Sequence, residues 1–102
     1  MADNQTTADV DTLVGQAWSY HYHGDNENAI KEFQRLVEKW PEHIDANYGL
    51  SLSLKAAGQK QQAGEAFRKT RALVETARTT QDDENARYTM LGRMIDQHLS
   101  SL

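Results

Sequence analysis

An all-α helix-turn-helix array is the fold class the sequence predicts, and three observations predict it. One pattern is written twice: Gly24, Ala29 and Phe33 recur 34 residues later as Gly58, Ala63 and Phe67, while Asp11 recurs as Asp45 and Tyr20 as Leu54. A period of that length marks a stack of helical hairpins. Six Gly and a single Pro in 102 residues leave most of the chain free to be helical. The apolar residues return at intervals of three and four rather than two, the spacing of a helix face.

The elements follow in order. Residues 1–7 are small and polar and are expected to form a mobile tail. Thr7 or Asp9 can cap a first helix, whose positive end suits Asp9 and Asp11. Leu13, Ala17 and Tyr20 then fall on its inward face, with Val14, Trp18 and Tyr22 on the adjoining one. Gly24 stops it, and Asp25 or Asn26 caps a second helix with the buried stripe Ala29, Ile30, Phe33, Leu36 and Val37. Trp40-Pro41 ends that helix, because Pro disfavours helical backbone in the residue before it. A third helix is expected from Asp45 to Ala57 with Ala46, Leu50 and Leu54 inward, closed by Gly58. A fourth starts near Lys60 and carries Ala63, Ala66, Phe67, Thr70, Leu73, Val74 and Ala77.

The pattern resembles the tetratricopeptide repeat, whose signature runs Trp-x-x-Leu-Gly-x-x-Tyr, then Ala-x-x-x-Phe, then Pro. Leu13, Gln16, Ala17, Tyr20, Ala29, Phe33 and Pro41 hold those places in the first copy. Asn47, Leu50, Ser51, Leu54, Ala63, Phe67 and Glu75 hold them in the second. Small residues at Ala17 or Ser51 let the paired helix approach, and Ala29 or Ala63 meets them from the other side. The second copy lacks the closing Pro, so its second helix can continue through Arg78, with a break over Thr79 to Asp83. Tyr88-x-x-Leu91-Gly92-x-x-Ile95 then matches the first-helix pattern again, 41 residues after Asn47. The excess of seven over 34 is about two helical turns. The resemblance therefore covers residues 9–99 and implies about five antiparallel helices in a right-handed superhelical stack. Residues 8–99 form one domain in this reading: repeat one over 10–43, repeat two over 44–80 and a capping helix over 84–99, with 100–102 trailing.

Bulk properties narrow the function. Residues 1–50 hold nine acidic and three basic residues, a net of −6, and residues 51–102 hold six and eight, a net of +2. An acidic chain has no electrostatic reason to seek nucleic acid or anionic lipid. The basic stripe Arg68, Arg71 and Arg78 is interrupted by Glu65 and Glu75 and has no alternating aromatics, so it reads as a solvated face. There is no Cys, hence no disulfide and no thiolate site. The N-terminus has neither a basic region nor an apolar run, and no apolar stretch approaches the ~18 residues of a membrane span. The expected location is cytoplasmic.

No constellation points to chemistry. His21 and His23 lie two apart on a helix and diverge, and neither converges with Asp25 or His43 on a metal. Gly24 and Gly58 are isolated helix stops rather than a phosphate-cradling loop, and no spacing builds a nucleophile elbow. Asp82, Asp83 and Glu84 read as a solvated loop. No cofactor, metal or catalytic residue is expected, and a small metal-dependent enzyme is the remote alternative.

The resemblance implies a different kind of site. Tetratricopeptide arrays bind extended or helical peptides in the groove lined by the first helix of each repeat. Carried onto this chain, that groove takes Val14, Trp18, His21 and Tyr22 from the first copy and Tyr48, Leu52 and Lys55 from the second. The last helix adds Thr89, Arg93 and Asp96. Trp18 and Tyr48 would offer an anchor site to an apolar partner side chain, or pack on each other between neighbouring helices. The subclass that clamps a carboxylate with Lys and Asn is not matched, since Val14, Trp18 and Gly49 stand where it would present them. On the last helix Tyr88, Leu91, Ile95 and Leu99 form the inward stripe. Met90 and Met94 form a second stripe that is a candidate self-association surface, with a homodimer as the expected product. The sequence thus predicts a non-catalytic protein-binding module, with self-assembly as the alternative.

Overall fold

The computed structural model describes the backbone of residues 2–81 and 86–102, with side chains from Val10 onward within those bounds. It contains α1 (Ala2–Tyr22), α2 (Asn26–Lys39), α3 (Ile44–Ala56), α4 (Lys60–Thr80) and α5 (Arg87–Ser100), and no strand among the described residues. Each helix packs on the next, and α3 also touches α1. The result is two stacked hairpins, α1–α2 and α3–α4, with α5 laid against the second.

The two hairpin turns close in the same way. Gly24 and Gly58 sit at φ +78 and +79, a left-handed conformation that only glycine adopts without strain. The amide of Asp25 then reaches back to the Tyr20 carbonyl at 2.9 Å, and that of Gln59 to Leu54 at 3.0 Å. These bonds satisfy carbonyls that the end of each helix would otherwise leave open. Asp25 caps α2 through its side chain on the Asn28 amide. At α3 the cap is His43, whose Nδ1 accepts from the Ala46 amide at 3.1 Å, so the helix starts at Ile44, one residue before the Asp45 expected.

The core repeats as the turns do. Ala17, Ala29 and Phe33 are fully buried in the first hairpin, as are Ser51, Ala63 and Phe67 in the second. Ser51 replaces Ala at the close approach without an orphaned hydroxyl, since its Oγ donates to the Asn47 carbonyl at 2.8 Å. Asn47 is itself buried, and its amide donates to the carbonyls of Pro41 and His43. A residue at the signature's Trp position has thus become a brace for the α2–α3 turn.

The tightest contact between the hairpins is made by a ring. The Phe33 ring lies so close to the Gly49 backbone that any Cβ there would collide with it. Gly15 occupies the equivalent position 34 residues earlier, and a Cβ added there meets nothing within 4 Å. The same residue type thus has opposite reasons at the two positions.

Two expectations are corrected. α1 begins at Ala2 rather than at a cap near Thr7 or Asp9, so the backbone expected as a tail is helical; no Gly or Pro before Gly15 breaks it. Tyr20 does not face inward: it is 39% exposed, and the buried side of α1 is Val10, Leu13, Val14, Ala17 and Trp18. The face is rotated because α1 must meet α3 as well as α2. The expected start of the last helix at Glu84 and the acidic loop at Asp82 and Asp83 lie outside the described residues.

Replacing Phe33 or Phe67 with Ala is expected to cost about 3–5 kcal/mol, measured by urea denaturation. The two glycines should respond with opposite signs. Gly49→Ala should destabilise by about 1–3 kcal/mol through overpacking, while Gly15→Ala should stabilise by about 0.5–1 kcal/mol through helix propensity. Equal responses at the two sites would show that the hairpins do not stack through Phe33.

Candidate partner-binding face

Helix α1 turns a column of rings toward α3. Trp18 sits edge-on over the buried Phe33, with ring centroids 5.3 Å apart. Its indole Nε1–H donates to the Asp45 carboxylate at 3.2 Å, which ties α1 to α3 at the surface. Tyr22, one turn on, stacks on Trp18 at 5.7 Å and 25°. His21 meets Trp18 edge-on at 5.7 Å. Tyr48 closes the cluster from α3, tilted against Trp18 at 6.4 Å. The rings continue through Tyr48 to Phe67 and His98, the last two stacked at 5.0 Å and 10°. Burial falls from the root of this column to its tip: Phe33 is sealed, Trp18 and Tyr48 are half-buried, and Tyr22 is 76% exposed.

Trp18, His21, Tyr22 and Tyr48 are therefore brought together, and Trp18 and Tyr48 pack on each other. Leu52 is half-buried against the core on the same side of α3. Val14 is a correction: at 6% exposure it is a core residue, consumed by the contact of α1 with its neighbours. Lys55 turns to α5, where its Nζ lies 3.0 Å from His98 Nδ1 and 2.8 Å from Ser101 Oγ. Arg93 is a second correction. Together with Thr89 and Asp96 it lines a cavity of about 320 Å³ against Arg71, Glu75 and Arg78 of α4, away from Trp18 and Tyr48. The cause is Arg71 of α4, which grips Asp96 through Nε at 3.0 Å and a second nitrogen at 3.3 Å and so turns that side of α5 onto α4. What α5 presents to α3 instead is Arg87, Tyr88 and Leu91, which border a cavity of about 250 Å³ with Ile44, Asp45 and Tyr48. Asp45 and His98 were missed as members of this face. The recurrence of Asp11 as Asp45 was the available signal for one; nothing in the local sequence marks the other.

An ammonium group has no lone pair, so His98 Nδ1 must accept from Lys55 and the ring is neutral with its proton on Nε2, 3.5 Å from the Tyr48 hydroxyl. Burial holds the His98 pKa below its ordinary value, and the Lys55 charge adds to the effect. Burial also pushes the Tyr48 phenol up. Arg78 first, and Arg71 after it, hold the Glu75 carboxylate below the usual range. Among the described residues no group of His, Asp and Glu could hold a metal ion, and no helix is long and apolar enough to cross a membrane.

The arrangement defines a class: stacked helical hairpins that carry a ring-lined face and no reactive constellation among the described residues. Residues 11–43, the first hairpin, match the family model of the tetratricopeptide repeat, and the described residues form a helical array of the kind such repeats build. Repeats of this family generally mediate protein–protein interaction and are typically non-catalytic. Comparison with curated proteins and with solved structures gives no match.

The His98 geometry has a consequence for stability. With the folded pKa below the unfolded one, the unfolded chain binds the proton more readily, so acid favours unfolding. Stability from this site is expected to be complete above the unfolded value of about 6.5 and to fall as pH drops through it. Denaturation at a series of pH values checks this, and Lys55→Met should shrink the loss by removing the neighbouring cation.

Proposed function

We propose that this protein is a non-catalytic interaction module that holds a helical or extended segment of a partner protein across the face formed by Trp18, Tyr22 and Tyr48. The observation that carries the reading is the Tyr22–Trp18 stack. Its inner ring is fixed by Phe33 beneath and by the Asp45 hydrogen bond, and its outer ring stands 76% in solvent. Rings held rigid before contact lose little further conformational freedom on binding, and aromatic anchors of this kind dominate interface energetics. Leu52 extends the apolar surface along α3, and the α3–α5 cleft beside Tyr48 gives a side chain room to enter.

Tyr22→Ala is the clean test, since that ring is exposed and carries little of the fold. It should weaken a partner captured from native lysate by over about 1 kcal/mol, read by calorimetry, with the melting temperature unchanged. Trp18→Ala should weaken binding too, but it also removes a ring from the core edge. Undiminished affinity in Tyr22→Ala would move the binding surface elsewhere.

A second reading is favoured by a separate observation. Met90 and Met94 are 58% and 46% exposed. Adjacent exposed methionines support contact with a second copy of the chain.

A further inference from the structure

The two exposed helix faces at the ends of the array are opposite in chemistry. On α1, Asp11, Gly15, Trp18 and Tyr22 follow one another at four, three and four residues, a single stripe. Asp11, Gly15 and Tyr22 are exposed, and Trp18 is half-buried. The whole of α1 contains three Asp and neither Lys nor Arg. On α5, Met90 and Met94 stand in solvent with the exposed Arg87 and Arg93 on either side of them. The one acid of α5, Asp96, is already taken by Arg71. One face thus offers a carboxylate, a bare backbone and rings. The other offers guanidinium groups and flexible thioethers. Within one chain the two helices do not touch.

We infer that the partner of the α1 stripe is a second copy of this chain, and that what docks there is the Arg87, Met90, Met94 and Arg93 face of the second copy's α5. The inference rests on the reading of the Trp18–Tyr22 face as the binding surface and names its occupant. Four features support it. Methionine sulfur and methyl groups pack well on aromatic rings, and Trp18 and Tyr22 supply those rings. The guanidinium groups find a carboxylate in Asp11. Gly15 lets the incoming helix come close, since nothing lies within 4 Å of the position its Cβ would take. The electrostatic halves agree in sign, with −6 on residues 1–50 against +2 on residues 51–102. When each copy lays its α5 on the other's α1, the contact is made twice about a two-fold axis and the assembly closes.

Two variants and their mixture test this by light scattering and sedimentation equilibrium. The parent should give about twice the 11.6 kDa chain mass at micromolar concentration. Asp11→Lys with Tyr22→Ala should return the mass to that of one chain, and so should Met90→Lys with Met94→Lys. All four substitutions fall on exposed positions, and circular dichroism should show unchanged helix content. Mixed one to one, the two variants retain one intact α1–α5 contact. They should associate at least ~10-fold more tightly with each other than either does with itself. An α1 variant that stays dimeric would overturn the proposal in favour of methionine meeting methionine across the axis. A mixture that stays at the single-chain mass would overturn it as well, as would a parent that is monomeric at all concentrations up to about 1 mM. The groove reading fails on a different result: it falls only if Tyr22→Ala leaves capture of a foreign partner unchanged.

Discussion

The contact between the Phe33 ring and the Gly49 backbone is the constraint on which the array depends. Phe33 belongs to α2 and Gly49 to α3, so this is where one hairpin is seated on the other. A fully buried ring against a residue without a side chain brings the two helices to the shortest separation available to them. Trp18 rests edge-on over the same ring, so the depth at which Phe33 sits also sets how far Trp18 rises above the core. Tyr22 and Tyr48 are placed by Trp18 in turn. The exposed aromatic face is therefore the outer end of the core rather than a decoration on it, and its rigidity derives from packing that has already been completed.

The second hairpin ends differently from the first, and the difference shapes the rest of the surface. Phe67 repeats Phe33, yet what covers it is the His98 ring and the edge of Tyr48, not a glycine. Helix α5 is not docked as α3 is docked. Arg71 of α4 stands opposite Asp96, and that pairing, although largely solvent-facing, fixes rotation more than it adds stability. Lys55 pins the far end of α5 through His98 and Ser101. Held at both ends, α5 keeps Ile95 buried and leaves Met90 and Met94 outside.

Charge and shape act together at the ends of the array. Helix α1 has neither Lys nor Arg, and the single acid of α5 is paired with Arg71. Such segregation costs little in a folded monomer, where the two helices are apart. It becomes consequential only when another surface approaches, because opposite potentials orient the encounter before any ring is touched.

The sequence by itself determined the repeat. Glycines with positive φ at a spacing of 34, alanines at the close approaches and one phenylalanine per hairpin are demands of local backbone and local volume, so they are written where they act. The same holds for the stripe of each later helix and for the lengthening of α4. The resemblance to the repeat family also implied that Trp18, His21, Tyr22 and Tyr48 share a side of the array. What it could not supply was the rotation of a helix that has more than one neighbour. Val14 and Tyr20 exchanged inside and outside because α1 packs on α3 as well as α2. Arg93 left the expected groove because Arg71 holds Asp96. His98 joined Tyr48 and Phe67 across 50 and 31 positions of sequence. Local pattern fixes which face of a helix is apolar. Only the tertiary structure decides how that face is divided among the helices that meet it, since the division is a compromise among contacts that are distant along the chain.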